Sequence, residues 1–232
     1  MVQELRSDLE PQLRKAPNLV TAAQRFVEMF TRSFDTVALA RLFIVARYDT
    51  LAVPEQDTAA AFAKRVGRGT LESTTPVLSL LGTSGALPSW NRREKSNGHR
   101  AIPFLDRSLV DGAPMIAALL SSLNVDLVAL RGDPAVQLRH LSGGLNARFY
   151  VPDARSTLDA RGRHIIAAQD FVQTQGIRTV FGMGGAYMDG KIVVAIMFTR
   201  ELLAELYVDR FPSFIGTFKL ATSALASSGL VY

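Results

Sequence analysis

Ile177–Arg200 reads IRTVFGMGGAYMDGKIVVAIMFTR, two apolar, β-rich runs on either side of Asp189-Gly190. Taken alone, Gly182-Met183-Gly184-Gly185 invites comparison with a dinucleotide-binding loop. Such a loop must follow a strand and open a helix, so that the helix N-terminus meets the pyrophosphate. Here the glycines lead within a few residues to Asp189-Gly190, and a second apolar run begins at once. Asp-Gly between β-rich runs signals a two-residue hairpin, because both turn residues must reach positive φ. The stretch therefore predicts an antiparallel hairpin and leaves a nicotinamide enzyme without its structural context.

Outward from the hairpin, the N-terminal segment reads as helix with breaks at Pro11 and Pro17. Asn18 is placed to cap a second helix over Leu19–Ser33, in which Leu19, Ala23, Phe26, Val27 and Phe30 form one apolar stripe. Thr36–Tyr48 is rich in β-branched and aromatic residues and reads as a strand. Leu39, Arg41, Phe43 and Val45 share one face of it, so its alternation is imperfect. A polar run, Pro54–Thr58, leads into an alanine-rich helix over 59–66. Thr75–Leu81 is a short strand, followed by a long irregular stretch, Gly82–Arg100, of the kind that carries function. Ala101–Leu105 rejoins the sheet, and Pro114 opens a helix over Met115–Leu123. Leu145–Val151 is a strand. Ile165–Gln175 is a helix ended by Gly176. Glu201–Ala224 is a helix kinked at Pro212. The order points to an α+β fold, a central antiparallel sheet with helices packed on one face.

Composition narrows the classes of function. The 232 residues can bury a sizeable core, and 48% are hydrophobic. Without cysteine, disulfides, thiolate metal sites and a cysteine nucleophile are excluded. No run approaches the roughly 18 apolar residues of a membrane span, and the N-terminus lacks an apolar signal core. The expectation is a soluble, cytoplasmic protein with no membrane contact. The net charge of +5 is scattered rather than gathered on one helix, which argues against nucleic acid as a partner.

Four stretches carry a family resemblance between Asn18 and Leu225. They are the amphipathic helix leading into Val37–Val45; Trp90-Asn91-Arg92-Arg93 with Gly98-His99-Arg100 and Ile102-Pro103; Phe149-Tyr150-Val151-Pro152-Asp153-Ala154; and Gly176–Gly182 with its partner Ile192–Phe198. Together they resemble a GAF-type sensor domain of bacterial signalling proteins. The resemblance implies an antiparallel sheet with helices behind it, a ligand pocket on the other side, and terminal helices that pair in dimers and signal to an output domain. It divides the chain into a helical extension (1–17), a sensor domain (18–225) and a tail (226–232). GAF domains that attach a bilin covalently use a cysteine, and this chain has none. The Asn-Lys…Phe…Asp-Glu pattern of cyclic-nucleotide-binding GAF domains is also missing. No cofactor is named, and no catalytic activity is implied.

Residue chemistry points to a ligand loop. Trp90–Arg100 joins the sole tryptophan to Arg93 and His99, a stacking face beside groups that hold carboxylate or phosphate. The alternative is a solvated loop with Trp90 packed on the core. Arg148 and Tyr150 share one strand face and are candidates to neutralise and orient a ligand, or else lie on the surface. Met183, between Gly182 and Gly184, is either adaptable core or ligand lining. His99, His140 and His164 lack zinc-site spacing, so no metal site is expected. Ser84 and Ser142-Gly143-Gly144 lack a nucleophile elbow. Asp106, Asp111 and Asp153 read as caps or turn residues. The apolar surface of Leu19–Ser33 and Glu201–Ala224 exceeds what one sheet face covers, which favours a homodimer. The reading is a sensor of a small, planar or anionic molecule, with Trp90, Arg93, His99, Arg148, Tyr150 and Met183 at its site. The alternatives are a small enzyme on a similar scaffold and a nucleic-acid-associated regulator.

Overall fold

The computed structural model describes residues 2–96, 98–106, 110–122, 147–229 and 231–232. In chain order the elements are helices α1 (Val2–Arg14) and α2 (Leu19–Ser33), strand β1 (Val37–Arg47), helix α3 (Val53–Arg65), strands β2 (Pro76–Gly85) and β3 (Ala101–Pro103), helix α4 (Pro114–Ser122), strand β4 (Ala147–Val151), helix α5 (Gln169–Thr174), strands β5 (Val180–Ala186) and β6 (Ile192–Thr199), and helices α6 (Glu205–Val208) and α7 (Pro212–Ser227). The strands form one antiparallel sheet in the order β3-β2-β1-β6-β5-β4.

The hairpin of the sequence is β5 and β6, paired from Val180↔Phe198 to Ala186↔Ile192. No helix follows Gly185. Its connection is longer than the expected two residues. Tyr187 N–H donates to Lys191 O, Gly190 N–H to Tyr187 O, and Gly190 alone of the glycines in this stretch has positive φ, at 83°. That is a three-residue loop, a tight turn followed by one left-handed glycine.

Helices α1, α2 and α7 cover one face of the sheet. Asn18 caps α2 by accepting from Thr21 N–H at 2.8 Å, and its apolar stripe is wholly buried. Phenylalanines weld the layer: Phe30 lies 5.2 Å from Phe214, and Phe26 5.3 Å from Phe218. From β1, Ala40, Leu42 and Ile44 join this layer, whereas Leu39, Phe43 and Val45 face the opposite side. A strand buried on both faces has no polar face to show, which explains the imperfect alternation of the sequence.

Several element boundaries differ from expectation. α1 runs unbroken through Pro11, held by the buried Leu9 and Leu13 on its core face. α3 starts at Val53 with Pro54 in its first turn, so the polar run is helix. Gly82–Gly85 belong to β2 rather than to the irregular stretch. α5 is short, and its Gly176 (φ 69°) closes it with Ile177 N–H on Val172 O and Gly176 N–H on Gln173 O. Pro212 begins α7 instead of kinking a longer helix. His140, Ser142-Gly143-Gly144, Leu145 and the end of the expected helix at Leu123 lie outside the described residues. α1 packs on both α2 and α7, so much of the apolar surface that pointed to a dimer is covered within the chain.

Candidate ligand-binding cavity

The opposite face of the sheet carries a cavity of about 770 Å³. Leu39, Arg41 and Phe43 of β1, Leu78 of β2, and Ile196 and Phe198 of β6 form its floor. Its walls come from the Trp90–Arg100 loop, from α4 and from residues 165–171 leading into α5. The Trp90 ring meets Phe171 edge-on at 5.6 Å, and Phe171 meets Phe198 at 5.4 Å. Strand alternation decides this lining, since the floor positions are those that point away from α2 and α7.

The loop is fastened to the sheet along its length. Thr83 Oγ1 donates to Trp90 O at 2.8 Å, and the Asn91 amide accepts from Gly85 N–H at 2.9 Å. Arg93 Nη1 donates to Leu80 O at 3.2 Å, and Leu80 N–H to Arg100 O at 2.9 Å. The fully buried Glu55 of α3 holds both arginines. Arg100 donates twice to Glu55 Oε1, at 2.9 and 2.8 Å, and Arg93 Nη2 lies 3.2 Å from the same oxygen. The Arg93 guanidinium also stands 5.3 Å over the ring of Tyr232, whose hydroxyl is 2.9 Å from Ser79 Oγ. Burial pushes the Tyr232 phenol up to about 12, so it stays neutral.

Of the residues singled out in the sequence, the structure brings Trp90 and His99 to the cavity. Arg93 does not line it and instead ties the loop down through Glu55. Arg148 and Tyr150 lie toward α6: Arg148 pairs with Glu205 and Asp209, and the Tyr150 hydroxyl donates to Leu203 O at 2.8 Å. Burial, followed by the nearby Glu205 charge, raises the Tyr150 pKa. Met183 and Phe181 pack in the helical core on the far face of the sheet. His164 lies outside the cavity lining. Among the described residues, no cluster of three metal-ligating side chains occurs, and no helix is long and apolar enough to cross a membrane.

Sequence reasoning passed over Arg41. Its signal was visible as the one charge on the Leu39–Val45 face, but it read as imperfect alternation. Arg41 sits mid-strand, opposite Thr83 on one side and Ile196 on the other. Its Nε is buried and has no hydrogen-bond partner among the described residues.

No protein-family profile matches the chain, and no curated protein matches it. Among solved structures, it is similar to the phycocyanobilin-bound GAF domain from a cyanobacterial phytochrome, at TM-score 0.51 and 9% identity over 98% of this chain and 97% of that one. The fold is GAF-like. The same GAF-like fold aligns with a free methionine-R-sulfoxide reductase from Neisseria meningitidis solved with its substrate, at TM-score 0.53 and 12% identity over 98% of this chain and 91% of that one. It also aligns with an N-acylhomoserine lactone dependent LuxR-family transcription factor from Burkholderia cenocepacia, at TM-score 0.50 and 12% identity over 100% and 98% of the two chains. Identities this low speak for the fold alone.

Proposed function

We propose that this GAF-like chain is a small-molecule-sensing regulatory domain of bacterial signal transduction, with its ligand in the cavity over β1, β2 and β6. The cavity itself carries the reading. At about 770 Å³ it has the size of a small-molecule site, and it is mostly apolar with a few polar groups, as such sites are. Trp90, Phe171 and Phe198 offer aromatic walls to a planar ligand. Two structural neighbours, the phycocyanobilin-bound domain and the lactone-dependent factor, are themselves small-molecule binders by description.

The lining favours binding over catalysis. Among the described residues it presents the His99 imidazole and two arginines, with no carboxylate or hydroxyl side chain to complete an acid–base pair. The signal is a population shift: ligand binds one arrangement of the Trp90–Arg100 loop and neighbouring helices better than the other. The domain sits in the cytoplasm and passes this shift through its terminal helices to an output module. It does so as a homodimer, through surface that α1 leaves open: Leu206 is 72% exposed and Leu220 73%.

The sole tryptophan lines the cavity, so its emission reports occupancy. Titration with the planar, neutral fluorophore N-phenyl-1-naphthylamine is expected to quench Trp90 saturably with energy transfer. Ala168→Phe, which adds bulk to a lining position, is expected to weaken the binding by about tenfold or more. No saturable quenching, or quenching indifferent to Ala168→Phe, removes the cavity as the ligand site.

A further inference from the structure

We propose that the cavity selects an amphipathic anion, its carboxylate-like head on the Arg41 guanidinium and its flat apolar body against Trp90, Phe171 and Phe198; this rests on the cavity being the ligand site. The argument begins with charge balance. An isolated charge removed from water costs free energy unless it is paired. The other arginines in or beside the cavity are paired within the chain: Arg68 with Asp106 at 2.6 Å, and Arg93 and Arg100 with Glu55. Arg41 is different. Among the described residues it has no ion-pair partner, its Nε has no acceptor, and no carboxylate lines the cavity with it.

An apolar side chain at position 41 would fit between Leu39 and Phe43 without that cost, and no carboxylate among the described residues meets the charge, so its partner is assigned to the bound ligand. Burial draws the Arg41 pKa down to about 10, which leaves it fully protonated at neutral pH. A guanidinium presents parallel N–H groups that match the two oxygens of a carboxylate or the oxygens of a sulfonate. Apart from Arg68 and His99 the surrounding lining is aromatic and aliphatic, so a small hydrated anion would leave most of the cavity unfilled. An anion joined to an apolar body satisfies both the charge and the walls.

The test compares two probes that share one body. 1-Anilinonaphthalene-8-sulfonate carries an anionic head, and N-phenyl-1-naphthylamine lacks it. A charge-assisted hydrogen bond formed out of water predicts that wild-type protein prefers the sulfonate by about tenfold or more. Arg41→Met is expected to abolish this preference by weakening the sulfonate alone. Arg41→Lys, which keeps the charge and loses the fork, is expected to fall between. The ligand-free Arg41→Met protein is expected to melt at or above the wild-type temperature, because an unmatched charge has been removed; this separates loss of the head contact from loss of fold. Equal discrimination between the probes by wild type and Arg41→Met overturns the anion assignment while leaving the cavity intact. Failure of wild type to bind either probe overturns the cavity reading, and the anion with it.

Discussion

Gly82 is a point at which the backbone of α2 lies directly against the sheet. A Cβ there would lie 2.6 Å from the carbonyl carbon and oxygen of Ala23 and 2.8 Å from Gln24 N, all backbone atoms that cannot rotate away. The close approach lets the Gln24 amide bridge to β2, accepting from Thr83 N–H at 3.2 Å and donating to Thr83 O at 3.0 Å. Gly82→Ala is therefore expected to cost about 2 kcal/mol by overpacking, lowering Tm by roughly 4–8 °C for a chain of this size. A calorimetric scan within a degree of wild type would show that α2 can move aside. Phe30 stands at the centre of the aromatic cluster, in ring contact with Phe26, Phe34, Phe211 and Phe214. Phe30→Ala is expected to cost about 4 kcal/mol, measurable by urea unfolding.

At the scale of elements, two devices set the architecture. The first is the Asn18 cap, the turn by which the chain passes from α1 into α2. Asn18→Ala is expected to cost about 1 kcal/mol, with no change in fold by circular dichroism. The second is the Glu55 clasp, which ties a long loop down beside the cavity. Glu55 shares one oxygen between Arg93 and Arg100. Arg100→Met removes the tighter of these contacts. Amide hydrogens across the loop are expected to exchange about tenfold faster or more, while those of α2 and β1 keep their protection. Uniform exchange across loop and core alike would mean that the clasp supports the whole fold rather than the loop.

For the whole molecule, the sheet divides two different interiors. One side is filled chiefly by α1, α2 and α7, with a small cleft of about 170 Å³ beside Phe30 and Phe211; the other holds the larger cavity. α1 is part of the helix-filled side through Leu9 and Leu13. Leu13→Asp is expected to detach α1, expose the α2 and α7 surface beneath it, and drive self-association visible by sedimentation. For the intact chain, Leu220→Glu is expected to shift a dimer toward monomer. A wild-type protein already monomeric at about 50 μM, well within the range of regulatory dimers, removes the dimer from the proposal.

What could be read in the sequence was local. Asp189-Gly190, the Asn18 cap, the α2 stripe and Gly176 each act over a few residues, where turn chemistry and helical periodicity speak for themselves. They gave the hairpin, the helices and the antiparallel α+β class. Burial was not legible in this way. Glu55 read only as part of a polar run, and the structure buries it fully between arginines about 40 residues downstream. Met183 read as either adaptable core or ligand lining, and the pleat turns it into the helical core. Arg41 read as a blemish in a strand, yet it lies on the cavity floor and has no ion-pair partner among the described residues. By itself the sequence determined which segments become strands and helices, because those preferences are settled between near neighbours. Only the tertiary structure decided which sheet face is left hollow and which charge faces the hollow, because both depend on packing and charge pairing between residues distant along the chain.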